Sequence, residues 1–288
     1  MSGTEAAGRA VVLNGVGYRL PAAGTRPGNV FEPPAKANLA AWAALSCARQ
    51  GLSTILVGRA GEKLTYVRDS IAALVPSASV TSEVADLLDP ACISGLVSRL
   101  PSGVAYDVVH SVGLSAGSYT IPDDNPYLPV DDTPDDLPVC EFNAVVTSLL
   151  GVVKAFLPRW RAQPNGARLV VIASMSGIRA YPMGYAHASA KGGLHNAVRS
   201  LALELVSSSI YVSEVNPGII DTGMYDSPAV QRAVTTIGRQ FGHDYSESGV
   251  PMAPPSAVGD AVALCLQSPA HVLTVDVVAR GQFPHTGA

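Results

Sequence analysis

The stretch ARLVVIASMSGIRAYPMGYAHASAKGGLHNAVRSLALELVSSSIYVSEVNPGIIDTG, residues 167–223, decides the fold of this chain. Its apolar runs at 167–174 and 210–216 are rich in Val and Ile, which is typical of strands covered on both faces. The segment 185–207 between them is rich in Ala and Leu and has a helical period. A strand, a helix and a second strand in this order predict a βαβ unit and therefore a parallel sheet.

The same alternation extends through the rest of the chain. The predicted strands are 10–14, 53–58, 77–84, 106–111, 167–174, 210–216 and 271–278. The predicted helices are 38–50, 62–75, 90–100, 138–162, 185–207 and 256–267. The sequence therefore predicts one α/β domain over residues 1–288, doubly wound, with a seven-stranded parallel sheet flanked by helices.

Three insertions interrupt this alternation. Residues 21–37 contain four prolines and two glycines, and residues 121–138 contain five prolines and six aspartates. Residues 223–255 have no clear period. Long loops that follow parallel strands lie at the carboxyl edge of the sheet, where ligands bind. We predict that the insertions cover a site, with surface loops of no function as the alternative.

The composition and charge of the chain indicate which kinds of molecule it binds. The chain has 288 residues, a net charge of −4 and no basic face, which argues against nucleic acid as a partner. The start MSGTEAAGRA is not a signal sequence and no apolar run has the length of a membrane helix, so we expect a cytoplasmic protein with no membrane contact. The cysteines are far apart and form no C-x-x-C pair, so no metal site is predicted.

Ser174, His187 and Lys191 have a spacing that resembles the catalytic centre of the short-chain dehydrogenase/reductase family. In that family a serine ends the fifth strand, a tyrosine follows thirteen residues later and a lysine four residues after that; His187 stands at the tyrosine position. The segments VADLLD (84–89), DVVHSVG (107–113) and KAFLP (154–158) also follow in family order. The resemblance implies a Rossmann fold and oxidoreductase activity with a nicotinamide cofactor.

A histidine at this position changes the chemistry. Reduction of a carbonyl by hydride needs an acid, a donor that holds the oxygen, and a cation. A lysine cation favours the phenolate of a tyrosine but disfavours the imidazolium of a histidine, which predicts a neutral imidazole at His187. We rank His187 first as proton donor, Tyr185 second and Tyr181 third. The resemblance places the family's relay asparagine at Val145, with Asn143 as a substitute if the helix is irregular.

The segment after the first predicted strand, where the family binds its cofactor, has a modified glycine-rich turn. Gly15 and Gly17 follow the first strand, and the first helix opens at Asn38 with a small polar residue, an apolar residue and alanine, similar to the enoyl-ACP reductase branch of the family. Arg59 follows the second strand, where an arginine accommodates a 2′-phosphate, so the predicted cofactor is NADP(H). The other expected cofactor contacts are Asp86, Leu87, Ser111, Gly113, Lys191, Pro217, Gly218, Ile220 and Thr222.

Three functions are consistent with these residues. The first is an NADP(H)-dependent reductase of a ketone or enone of an apolar or aromatic small molecule, such as a secondary metabolite, with Ser174 binding the oxygen. The second is a non-redox isomerase, dehydratase or cyclase in which His187 and Ser174 transfer protons. The third is a catalytically silent nucleotide-binding partner. The resemblance also implies a homodimer or homotetramer that pairs through 138–162 and 185–207.

Overall fold

The computed structural model describes residues 8–20, 28–33, 35–113 and 125–282. The strands in this part of the chain are β1 (Arg9–Asn14), β2 (Tyr18–Arg19), β3 (Lys36–Ala37), β4 (Ser53–Gly58), β5 (Val80–Val84), β6 (Ala105–His110), β7 (Ala167–Ile172), β8 (Ile210–Pro217) and β9 (Thr274–Val277). The α-helices are α1 (Leu39–Arg49), α2 (Gly61–Leu74), α3 (Pro90–Arg99), α4 (Leu137–Phe142), α5 (Ser148–Ala162), α6 (Tyr185–Leu205), α7 (Pro228–Gln240) and α8 (Pro255–Gln267).

Seven strands form one parallel sheet in the order β5-β4-β1-β6-β7-β8-β9. The predicted doubly wound fold with a seven-stranded parallel sheet is confirmed. The strand order reverses between β1 and β6, which pair in register from Arg9 with Ala105 to Asn14 with His110. Ligands bind outside the carboxyl ends of the strands at such a reversal, so the topology places a crevice next to Asn14 and His110.

Helices cover both faces of the sheet. On one face, apolar residues of α3, α5 and α6 pack against the strands and form the first core. Trp160 is fully buried in this core and donates its indole N–H to the carbonyl of Tyr106 at 3.1 Å. On the other face, α1, α2 and α8 form a second core around Leu45 and Leu56. Because side chains alternate along each strand, Val12 enters the first core while Val11 and Leu13 enter the second.

The segment 223–255 is not the unstructured insertion that the sequence predicted. It contains α7, whose residues Val230, Val234 and Ile237 form a small separate core with Tyr225 and Tyr245. Apolar residues at this spacing, after a proline at the first helical position, are a signal for a helix that the sequence interpretation missed. The segment is thus a folded cover beside the carboxyl edge of the sheet.

The other two insertions are partly described. In 21–37, residues 21–27 and 34 lie outside the described part, and the prediction of a loop is wrong for Lys36–Ala37, which pair as β3 with β2 in antiparallel orientation. In 121–138, residues 121–124 lie outside the described part, and a turn of 3₁₀ helix forms at Val130–Asp132. The Lys36 ammonium donates to the carboxylates of Asp221 at 2.6 Å and Asp226 at 2.8 Å, which joins the first insertion to the segment after β8.

The predicted helix 138–162 is interrupted by a turn of π-helix at Asn143–Thr147. Buried residues recur at every fourth position, at Leu137, Glu141, Val145 and Leu149. A helix of 3.6 residues per turn would carry such a stripe around its axis, and the wider turn keeps it facing the sheet. The stretch Leu137–Ala162 is long and apolar enough to span a membrane, but its residues Val145 and Leu149 pack in the first core.

The outer surface of α5 and α6 has exposed apolar side chains. Leu150 is 46% exposed and Leu203 is 82% exposed. These helices are the ones through which the family resemblance implies pairing. A homodimer or homotetramer stays a prediction.

The close contact between the backbones of Gly15 and Ser111, at the point where the strand order reverses, leads to a prediction about stability. Gly15 has a φ of +85°, and a Cβ built there meets the backbone carbonyl of Ser111 at van der Waals overlap. Gly51 has a φ of +76° but open space around it. We expect Gly51→Ala to cost about 1 kcal/mol of unfolding free energy and Gly15→Ala more than about 3 kcal/mol, measured by urea denaturation. Equal costs for the two variants would show that the contact with Ser111 does not constrain the fold.

Candidate functional site

A cavity of about 320 Å³ opens at the carboxyl edge of the sheet. Ser174, His187 and Lys191 line it together, although they come from the end of β7 and from two turns of α6. The same cavity extends to Leu39 at the start of α1 and to Thr222 after β8. The structure therefore joins the two ends of the predicted site in one space.

Ser174 caps the turn of 3₁₀ helix at Met175–Gly177. Its hydroxyl accepts from the backbone N–H of Ser176 at 3.2 Å and lies 2.5 Å from the Ser176 hydroxyl. The Gly177 backbone in this turn packs so closely on the Lys191 carbonyl that a Cβ there would overlap with it. This contact fixes the serine against the first turns of α6.

His187 has a partner that the sequence interpretation did not name. Its Nδ1 lies 3.7 Å from Oε1 of Glu141, a buried carboxylate on α4. The prediction of a neutral imidazole considered Lys191 alone, and the structure adds a carboxylate as a second charged group beside the ring. Glu141 is the one charged residue in the apolar segment LPVCEFNAVV (137–146), and an isolated charge in such a segment was the available signal for a functional residue.

Lys191 lies on the inner side of α6 and is buried. Burial lowers its pKa to about 8, and the carboxylates of Glu141 and Glu214 oppose that shift. Glu214 is itself committed to another partner, since its Oε2 lies 2.7 Å from Nδ1 of His195. The Lys191 ammonium is therefore held in a weakly solvated position facing the cavity.

The two tyrosines that were considered as alternative donors lie in different places. Tyr185, ranked second, is 62% exposed and is not among the residues that line the cavity. Tyr181 lines the cavity, with its ring centre 5.8 Å from that of Tyr127. Burial and then the neighbouring Tyr225 raise the pKa of Tyr181, while the Ser176 hydroxyl opposes the rise, so its phenol stays protonated at neutral pH.

The position of the family's relay asparagine is apolar in the structure. Val145 is fully buried. The helix is irregular here, but Asn143 does not replace the missing amide, because its side chain is exposed and accepts from the Thr147 hydroxyl at 3.0 Å. Ser148 instead contacts Nε2 of His110 at 3.2 Å in the buried space. Burial, followed by the charge of Lys191, lowers the pKa of His110 to about 3, which keeps this imidazole neutral.

The glycine-rich turn and the first helix are joined across the insertion by Asn38. Its side-chain oxygen accepts from the backbone N–H of Ala41 at 3.1 Å and of Gly17 at 3.2 Å, and its amide donates to the Gly15 carbonyl at 2.7 Å. One side chain thus caps α1 and holds both ends of the interrupted motif together. The N-terminus of α1, with its free backbone N–H groups, stays beside Gly15 and Gly17.

The other predicted cofactor residues follow strand ends at the same edge. Arg59 comes directly after β4, and the backbone N–H groups of Gly15 and Val16 both donate to the Val57 carbonyl in that strand at 2.9 Å. Ser111 and Gly113 follow β6. In the segment after β5, Asp86 accepts from the backbone N–H of Leu88 at 3.0 Å, and Leu87 is buried in the first core.

The turn after β8 lines the cavity directly. Pro217, Gly218, Ile220 and Thr222 all contribute to its wall. Gln282, which the sequence interpretation missed, accepts from the backbone N–H of Ile219 at 2.8 Å and packs on Gly218 so closely that a Cβ there would overlap with it. Among the described residues, no group of three or more His, Cys, Asp or Glu side chains has a geometry that could hold a metal ion.

This geometry agrees with a comparison with known protein families. The profile of the short chain dehydrogenase family matches residues 35–232, more than half of the chain. This chain belongs to the short-chain dehydrogenase family. The match begins after most of the 21–37 insertion, so the family signal does not include the first strand and its glycine turn.

Relatives support an oxidoreductase of this family. An uncharacterized oxidoreductase of Staphylococcus epidermidis is 28% identical over 236 residues, which cover 81% of this short-chain dehydrogenase and 87% of the relative. Sulfoacetaldehyde reductase of Chromohalobacter salexigens is 26% identical over 193 residues, 67% of this chain and 72% of the relative. The prediction of an oxidoreductase-family enzyme is confirmed at this level.

Solved structures support the fold. A Pseudomonas aeruginosa short chain oxidoreductase with bound NADPH and an atypical catalytic center has a TM-score of 0.69 and 19% identity, covering 93% of this chain and 95% of the other. Actinorhodin polyketide ketoreductase with NADPH has a TM-score of 0.69 and 18% identity, covering 94% and 96%. At these identities the likeness concerns the fold alone.

The burial of Lys191 generates a prediction about stability. Its pKa is about 8 in the folded protein and about 10.4 in an unfolded chain, so the charged form destabilises the fold below pH 8 and this cost disappears as the pH rises toward 10.4. We expect Lys191→Met to raise the Tm by roughly 5 °C at pH 7, with a gain that shrinks between pH 8 and 10. Thermal unfolding of the exposed control Lys154→Met should show no such dependence. A loss of Tm that is constant with pH would contradict the cost assigned to this ammonium.

Proposed function

We propose that this short-chain dehydrogenase is an NADP(H)-dependent reductase that acts on a ketone or enone of a small molecule with an apolar skeleton. The observation that carries the proposal is the single cavity in which Ser174, His187 and Lys191 meet the turn after β8 and the N-terminus of α1. A hydride donor needs its phosphates at the helix terminus and its reactive ring near the proton donor, and the cavity connects these two places.

The residues fit a nicotinamide dinucleotide. Gly15 and Gly17 lie beside the N-terminus of α1, and α1 offers to a diphosphate those first-turn backbone N–H groups that Asn38 does not cap. Lys191 faces the cavity as a donor for the ribose, and Arg59 stands at the strand end where a 2′-phosphate would be held. When bound, this cofactor supplies the hydride. Arg19, on β2 before the insertion at 21–37, lines the cavity, and none of the described residues of that insertion does.

The protein's own residues supply the proton and hold the oxygen. The Ser174 hydroxyl accepts from the backbone N–H of Ser176 and, when the Ser176 hydroxyl also donates to it, directs its own proton to a carbonyl oxygen. His187 lines the cavity with Ser174 and is the first candidate for the donor of a proton to that oxygen. Glu141 lies 3.7 Å from its Nδ1 and orients the ring. Tyr181, connected to Ser174 through Ser176, is the second candidate for the donor.

The walls of the cavity and the relatives favour a carbonyl substrate. Tyr127, Tyr225 and Met224 line the end next to α7, with the hydroxyls of Tyr127 and Tyr225 3.1 Å apart, and such a wall suits an aliphatic or aromatic skeleton. Two of the similar proteins are a sulfoacetaldehyde reductase and a polyketide ketoreductase, and both names describe reduction of a carbonyl compound.

The cofactor preference is tested by titrating the protein with NADPH and NADH while following cofactor fluorescence. We expect micromolar binding of NADPH, weakened about tenfold or more by Arg59→Ala because a charge-assisted bond to the 2′-phosphate is lost, with NADH binding unchanged. Arg68→Ala, an exposed arginine that pairs with Asp69 on α2, is the matched control. Failure of both nucleotides to bind would refute the reductase and favour the non-redox isomerase, dehydratase or cyclase.

The proton donor is tested at His187. We expect His187→Phe to lower kcat for ketone reduction about 100-fold or more while the Kd for NADPH stays the same, since a general acid contributes to the chemical step and not to cofactor binding. Tyr185→Phe is the control because its side chain faces solvent. If Tyr181→Phe removes the activity and His187→Phe does not, the assignment of the donor is wrong.

A further inference from the structure

The cavity is more positively charged than the chain around it. Arg19, Arg179 and Lys191 line it, and Glu141 is the one carboxylate among the described lining residues. The complete chain has a net charge of −4, so this local excess of cations runs against the overall charge. A cleft with one sign of charge attracts ligands of the opposite sign.

Neighbouring carboxylates are already paired with other groups. Glu141 faces Nδ1 of His187, and Asp221 and Asp226 both accept from Lys36. Within the described part of the chain, neither Arg19 nor Arg179 has a carboxylate within ion-pair distance. Among the described residues, no carboxylate therefore compensates either guanidinium group at the cavity.

The two arginines lie toward different ends of the site. Arg19 is on β2, directly after the glycine turn, and shares the cavity with Leu39 at the helix terminus, which assigns it to the cofactor's phosphates. Arg179 is in the loop between Ser174 and Tyr181, where its backbone N–H donates to the Met175 carbonyl at 2.8 Å. This bond ties Arg179 to the turn that carries Ser174, the residue that holds the substrate oxygen.

We propose that the substrate of the reductase is a small carbonyl compound with an anionic group, a carboxylate or a sulfonate, that is bound by the Arg179 guanidinium. This inference rests on the proposed reductase function and adds its substrate class. An arginine binds both oxyanions through paired N–H donors and so fixes the carbonyl relative to Ser174 and His187. The cavity of about 320 Å³ also has to hold the nicotinamide end of the cofactor, so the skeleton between the carbonyl and the anionic group is short.

The test compares oxo acids with their neutral esters. NADPH oxidation is measured with 2-, 3- and 4-oxo carboxylic acids of four or five carbons, with their methyl esters, and with sulfoacetaldehyde against propanal. We expect kcat/KM to be at least tenfold higher for the anionic member of the best pair. Arg179→Gln should remove that preference by lowering kcat/KM for the anionic member of the pair, and Arg179→Lys should keep part of the preference. Arg49→Gln, an exposed arginine at the end of α1, is the matched control.

A measurement of binding distinguishes the proposed anion site from the proposed reductase activity. The same acids and sulfonates are titrated calorimetrically into the NADPH-loaded protein and into the protein alone. If no compound is reduced but an acid or sulfonate binds and Arg179→Gln weakens it tenfold, the anion site stands and the reductase function fails. If esters are reduced as well as acids, or if Arg179→Gln leaves the preference and the binding unchanged, the anion site is overturned and the reductase function stands. The better of the two anion types identifies whether the site prefers a planar or a tetrahedral group.

Discussion

The burial of seven parallel strands on both faces is the constraint on which the rest of this structure depends. Parallel strands need helical crossovers, and the crossovers of this chain cover the sheet in two layers. All strands then end at one edge, where loops carry the polar groups that the cores exclude. Ser174, Pro217 and Arg59, far apart in the chain, lie at this edge for that reason.

The site combines two groups that are costly to bury. The Lys191 ammonium and the Glu141 carboxylate both face the cavity from helices packed on the sheet, and His187 lies between solvent and the carboxylate. Removal from water makes the charges of Lys191 and Glu141 sensitive to the groups around them, which is a feature of candidate functional sites. Burial of these two charged groups costs folding stability. Because a residue that costs stability is retained more readily when it serves a function, this cost is a reason to regard both groups as functional.

Two unusual features of the backbone keep the site assembled. Asn38 joins the glycine turn to α1 across an insertion that would otherwise separate them. The π-helical turn at Asn143–Thr147 lets buried residues recur at every fourth position, so Glu141 faces the same side as the apolar residues of α5. The hydrogen bonds of Asn38 to Gly17 and Gly15 join residues 21 and 23 positions apart, whereas the π-helical turn is local, and both features position groups that are distant in sequence.

The sequence by itself determined the order of strands and helices, the parallel sheet and the spacing of Ser174, His187 and Lys191, because periodicity and spacing are local properties of the chain. Only the tertiary structure decided which side chains share the cavity. It brought in Glu141, Arg179 and Gln282, it turned Tyr185 toward solvent, and it gave α7 a core of its own. These outcomes depend on the packing of elements that are distant in sequence and on a helical turn wider than 3.6 residues. An analysis of sequence periodicity assumes a regular helix and has no information about distant packing, so it could not predict them.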